Sequence, residues 1–131
     1  MINFYKGDKE KRILDPKLFS DVAMSWAEKI HEGNVRQKDC NKRSQLRKFY
    51  DEVTRLNSQA KSKTEEWDNI APFVNMLIAK AAYAEGRNKV SKDFSALVKH
   101  CIEKIENEKD LDVFATFFEA LMGFYRKYGE N

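Results

Sequence analysis

The 131-residue chain reads as all-α, a compact five-helix bundle in a single domain. Three observations predict this. Glycine (5) and proline (2) are scarce, together roughly 5% against a usual ~12%, so the frequent tight turns of an all-β protein have no material. Charged residues make up 34% and hydrophobic ones 42%, the mix of amphipathic helices with solvated outer faces. Apolar residues also recur at three- and four-residue spacing through most of residues 15–128. Nine Phe, five Tyr and two Trp supply core material, and the length suffices to bury it without disulfides or metal.

Each element has its own signals. Asp15 and Pro16 pair an N-cap with proline at the first helical position. Leu18, Phe19, Val22, Ala23, Trp26, Ala27 and Ile30 then follow at helical spacing until Gly33 ends the run. A second helix begins near Asn41, puts Leu46, Phe49, Tyr50, Val53 and Leu56 on one stripe, and fades into a polar loop over 57–63. The third opens on Thr64 followed by Glu65 and Glu66, two acids suited to a helix start. It then carries Trp67, Ile70, Phe73, Val74, Leu77, Ile78, Ala81 and Tyr83 before stopping at Gly86. Pro72 either starts its main part or kinks one continuous helix. Ser91 caps the fourth, with Phe94, Leu97, Val98, Cys101, Ile102 and Ile105 inward. Asp110 caps the fifth, apolar at Leu111, Phe114, Phe117, Phe118, Leu121, Met122 and Tyr125. Residues 1–14 form an N-terminal extension with no assignable pattern.

Several function classes drop out. The longest charge-free stretch, Asn69 to Ala79, is about half of what a membrane span requires. Met1 to Arg12 alternates apolar and charged residues without a signal-peptide core, so Cys40 and Cys101 are expected as reduced thiols in the cytoplasm. Cys101 falls on the inward stripe of the fourth helix, whereas Cys40, ahead of a basic helix start, is the more reactive by position but has no neighbouring base. Only His31 and His100 are present, with no Cys-x-x-Cys or His-x-x-x-His pair, so neither metal nor cofactor is expected. Asp110 and Asp112 are accounted for by a cap and a first-turn acid. Glu119, beside Phe117 and Phe118, calls for a basic neighbour rather than a catalytic role. A non-enzyme is expected.

The net charge of +3 conceals an asymmetry. Residues 36–63 hold nine basic side chains (Arg36, Lys38, Lys42, Arg43, Arg47, Lys48, Arg55, Lys61, Lys63) against Asp39, Asp51 and Glu52, a net +6 that leaves −3 for the rest. At ~100° per residue, Lys48 and Arg55 point away from the second helix's apolar stripe, Arg43 and Arg47 lie on a flank, and Lys42 lies close to the stripe. Long cations along a helix form a ridge suited to phosphates and indifferent to base identity. Pairing of Arg47 with Asp51 and of Lys48 with Glu52 would neutralise part of it. A smaller cationic group, Lys80, Arg87, Lys89 and Lys92, flanks the turn from third to fourth helix.

Three segments carry a family resemblance: Ser44-Gln45-Leu46-Arg47-Lys48-Phe49-Tyr50, then residues 79–87 (Ala-Lys-Ala-Ala-Tyr-Ala-Glu-Gly-Arg), then residues 114–121 (Phe-Ala-Thr-Phe-Phe-Glu-Ala-Leu). Their order and spacing over about residues 15–128 resemble the small subunit of the type III-A CRISPR effector, the Csm complex. The resemblance implies an all-helical, non-catalytic subunit whose copies stack head to tail, line the channel beside the guide–target duplex and touch guide RNA and single-stranded target RNA through their backbones. It further implies contact with the other Csm subunits in antiviral defence. By motif position Gln45, Arg47, Lys48 and Arg87 are candidate RNA contacts, with Lys80 one turn before Tyr83; Lys42, Arg43, Arg55 and Lys89 join on charge and geometry. Tyr83 and Phe118 are expected in the core rather than stacked on bases. Asn41-Lys42-Arg43 stands where the family resemblance implies a threonine-rich helix start; Asn41 can cap the helix equally well, and the cations are additional. Trp26, Trp67 and the aromatic fifth helix suggest self-association. The alternative is a helical adaptor whose basic face binds an acidic protein partner. A DNA-binding regulator would need a tight turn before its recognition helix, which the 57–63 loop speaks against.

Overall fold

The computed structural model describes residues 2–37 and 39–128; Lys38 of the basic segment lies outside them. Five α-helices account for most of the chain: α1 (Ala23–Arg36), α2 (Arg43–Ser62), α3 (Trp67–Gly86), α4 (Lys92–Glu103) and α5 (Glu108–Tyr125). A 3-10 turn at Lys9–Lys11 and a π-helical turn at Leu18–Val22 precede them, and there is no strand among the described residues, only an isolated bridge between Tyr5 and Leu14. The helix α5 packs against both α1 and α2, while α3 packs against α4.

One apolar core runs through all five helices. The predicted inward residues of α2, α4 and α5 supply much of it, with Phe94, Phe114, Phe117 and Tyr125 among the largest buried side chains. Phe118 contacts Tyr50, Phe94 and Phe114 with ring centroids 5.7, 6.2 and 5.8 Å away, so aromatic rings of three helices meet there. Residues 2–14 also belong to this core: Ile2 and Phe4 are buried, and Arg12 Nη1 lies 2.9 Å from Asp110 Oδ1, which also accepts the Tyr5 hydroxyl.

The boundaries depart from expectation for identifiable reasons. Asp15 is not an N-cap and Pro16 is not the first helical residue. Asp15 forms a turn ahead of the helix, accepting Leu18 N–H on its carbonyl (3.0 Å) and Lys17 N–H on its carboxylate (3.0 Å). Lys17 precedes the π-helical turn, and regular helix begins only at Ala23. Gly33 is not a C-cap. It lies inside α1, and a Cβ there would meet Ser91 Cβ at 3.0 Å, so the glycine admits the start of α4. The stretch 57–62 is not loop. Ala60 is buried, while Asn57 and Lys61 reach Asp112 of α5 at 2.9 and 3.4 Å, and these contacts hold polar residues helical until Lys63 turns left-handed at φ 60°. The α2–α3 connection is therefore short, and loop length no longer speaks against a helix-turn-helix. A single helix runs through Pro72, which is exposed and cannot bond the Asp68 carbonyl one turn before it.

Two caps also differ. Asn107, not Asp110, caps α5 by accepting Asp110 N–H at 3.0 Å; Asp110 sits one turn in, 2% exposed, and accepts Glu106 N–H at 2.9 Å. Asn41 precedes Lys42, the N-cap of α2, and is fully buried at φ 58°. Its side-chain amide donates to Ile30 C=O (3.1 Å) and accepts from Ser91 N–H (2.8 Å). Its backbone N–H donates to Lys89 C=O (3.0 Å) and its carbonyl accepts the Tyr125 hydroxyl (2.6 Å). One residue thus ties the start of α2 to α1, to the α3–α4 turn, and to the end of α5.

Candidate nucleic-acid interface

The α2 helix has one apolar stripe and two polar flanks, and the flanks meet different neighbours. Toward α5 lie Tyr50, Asn57 and Lys61. Arg43 is on this side too, and its Nη1 donates to Arg126 C=O at 3.1 Å, at the negative end of the α5 dipole. Toward α3 lie Gln45, Lys48 and Glu52, which with Lys80, Tyr83, Arg87 and Lys89 line a groove of about 300 Å³ floored by Phe49, Leu77 and Ala84.

The fold therefore gathers five of the nine candidates, Gln45, Lys48, Lys80, Arg87 and Lys89, around one hollow. The other four sit apart from it. Lys42 is half-buried at the N-cap of α2, and Arg43 is committed to α5. Arg47 is exposed and pairs loosely with Asp51 at 4.0 Å. Arg55 holds Glu52 through both carboxylate oxygens and lines the adjoining stretch between α2 and α3, beside Pro72 and Phe73.

The expected Lys48–Glu52 pair does not form. Glu52 turns instead to Arg55 and to Lys80, 3.9 Å away, because the packing of α2 on α3 brings that second cation within reach. The hydrogen bond from Arg55 holds the Glu52 carboxyl below its ordinary pKa against the opposing effect of burial, and the charges of Arg55 and Lys80 add to this. The groove is thus cationic at its rim with one carboxylate in its wall.

Tyr83 is not in the core. It is 68% exposed, with the Arg87 guanidinium over its ring at 5.6 Å from the centroid. It falls two residues after buried Ala81, hence roughly 200° around the helix, an offset that the sequence already contained. Phe73 likewise points outward at 57% exposure, with Met76 at 52%. Trp26 and Trp67, by contrast, are half-buried against the core. Among the described residues, α3 thus exposes Phe73, Met76 and Tyr83, while Ile13, Leu14 and Met24 are exposed nearer the N-terminus.

The thiols offer little reactivity. Cys40 and Cys101 are both buried and unbridged, and burial raises each pKa, so Cys40 is not the reactive thiol its position suggested. His31 stacks on Tyr128 at 4.5 Å, and Glu119 is exposed. Asp112 turns to Asn57 and Lys61 while Asp110 turns to Arg12 and Tyr5, so the two carboxylates do not converge. Among the described residues no group of three or more His, Cys, Asp or Glu is arranged to hold a metal ion, and no helix is long and apolar enough to cross a membrane.

No curated protein and no solved structure matches the chain. A family model described as Csm2 Type III-A matches residues 14–131. Its match takes in α1 to α5 and every candidate contact, and the chain belongs to this family, that of the small subunit of the type III-A CRISPR effector, the Csm complex.

Proposed function

We propose that the chain is a non-catalytic small subunit that binds the backbones of guide RNA and single-stranded target RNA without reading their sequence, and that it contacts neighbouring subunits and further copies of itself in cytoplasmic antiviral defence. The observation that supports this is the groove. Two cationic groups more than thirty residues apart, one around Lys48 and one around Lys80 to Lys89, converge on one rim in a chain of this family. Lysines and arginines along helices neutralise phosphates at whatever base they meet, so affinity follows the number of cations and falls with salt. In an RNA-guided complex sequence is read by pairing between guide and target, which leaves such a subunit only charge and shape to recognise.

Anisotropy of labelled single-stranded RNA across a salt series tests the reading. The expected result is weak, sequence-independent binding that declines steeply with salt. Arg47→Glu with Lys48→Glu should abolish it while helicity is unchanged, since both side chains are exposed. Retained binding in that double variant would remove the ridge from the account. Heparin should displace the RNA; a single stoichiometric acidic protein partner that RNA cannot displace would favour the adaptor instead.

A further inference from the structure

We propose that the hollow between α2 and α3 is a subsite for one unpaired RNA base, stacked on Tyr83, with the phosphates on either side held by Lys48, Lys80 and Lys89. The proposal rests on the RNA-binding reading and adds to it a contact with a base, where phosphate contacts alone would suffice. Three features call for it. Phosphates require cations and water, yet this hollow has an apolar floor of Phe49, Leu77 and Ala84 beneath its cationic rim. Its volume of about 300 Å³ lies at the small end of ligand clefts, room for a flat ring and not for a duplex.

The second feature is the ring itself. Tyr83 keeps 68% of its surface in solvent on a helix that buries Ile70, Val74, Leu77 and Ala81 on another face, so no core packing accounts for it. Arg87 lies over the ring at 5.6 Å, one turn on, which holds a cation beside the platform. Aromatic rings next to cations are how proteins hold single strands irrespective of sequence, because every base has a π face. The third feature is Gln45, whose amide both donates and accepts at the rim and so suits the edge of any base. An acidic peptide would use the cations but leave the ring and the apolar floor unfilled.

The test uses the full chain, a fluorescent oligo(U), and an abasic ribose-phosphate oligomer of the same length. Tyr83→Ala should lower oligo(U) affinity about tenfold with the salt slope unchanged, because no cation is lost. Tyr83→Phe should bind as the parent does, and the abasic oligomer should bind parent and Tyr83→Ala equally. Equal oligo(U) affinity for Tyr83→Ala and parent overturns the subsite while leaving the cationic ridge intact. Equal losses for oligo(U) and the abasic oligomer, or a poly-glutamate peptide that depends on Tyr83 as oligo(U) does, overturn it as well. Failure of the parent to bind any RNA overturns both the subsite and the reading beneath it. Circular dichroism guards against misfolding, which the exposure of Tyr83 makes an unexpected outcome.

Discussion

Replacing Asn41 by alanine removes two side-chain hydrogen bonds at a fully buried site and leaves a residue with a Cβ at φ 58°. The losses are unequal. Ser91 N–H, at the N-cap of α4, has the Asn41 amide oxygen as its acceptor, and stranding it costs ~1–3 kcal/mol. Ile30 C=O lies inside α1 and keeps its helical partner, so the lost donor there costs ~1 kcal/mol. Alanine tolerates the left-handed conformation less well than asparagine, by ~1 kcal/mol. The backbone bonds to Lys89 and Tyr125 do not depend on the side chain. The expected destabilisation is about 3–5 kcal/mol against a usual ~5–15 kcal/mol for a whole domain, a fall in Tm of ~10–20 °C. Asn41→Gly separates the causes: it loses the same side-chain bonds without the strain and should recover ~1 kcal/mol. Urea and thermal unfolding followed by far-UV circular dichroism measure both. An alanine variant within ~0.5 kcal/mol of the parent would refute the assigned role of Asn41.

Two further outcomes follow from the electrostatics. Glu52→Gln removes the carboxylate from the groove wall and frees Arg55 and Lys80; RNA affinity should rise a few-fold at low salt, with the gain disappearing as salt is raised, and an unchanged or lower affinity would count against the groove. Burial, then the hydrogen bond and charge of Asp110, push the Tyr5 hydroxyl from its ordinary 10.0 up to about 12. The folded state therefore keeps this proton while the unfolded chain releases it, so the contribution is intact below pH 10 and is lost as pH rises toward 12. Tyr5→Phe should flatten the alkaline arm of a stability–pH profile, though not fully, because burial raises Tyr125 and Cys101 in the same sense.

What the sequence disclosed follows from the range of each signal. Periodicity located the inward faces of α2, α4 and α5 because one stripe on each is apolar and the opposite face charged. It misplaces Tyr83 because apolar residues around most of α3 leave the period with little contrast. Gly33, Asn41 and Asp110 were each given a local role, helix stop or cap, that their residue type makes common. Their actual partners, Ser91, Lys89 and Arg12, lie 48 or more residues away in sequence or across it, where no local pattern reports. The cationic segment was legible since charge can be counted; the groove was not, since it exists only where α2 meets α3.

That meeting also explains why the nine candidates divide as they do. A cation on the α5 side of α2 lies beside a helix C-terminus or a carboxylate of the same molecule, and Arg43 and Lys61 are accordingly held at Arg126 and Asp112. A cation on the α3 side faces Lys80 and the Arg87–Lys89 corner, where Glu52 is the carboxylate that lines the hollow, so positive charge there exceeds what the fold neutralises. The Asn41 backbone bond to Lys89 and its side-chain bond to Ser91 N–H together keep that corner against the first turn of α2, where Lys89 and Gln45 share a rim. The same buried asparagine that stabilises the bundle therefore assembles its cationic face. Stability and RNA affinity should be coupled through Asn41 and separable at Lys48, which is exposed and carries no buried contact.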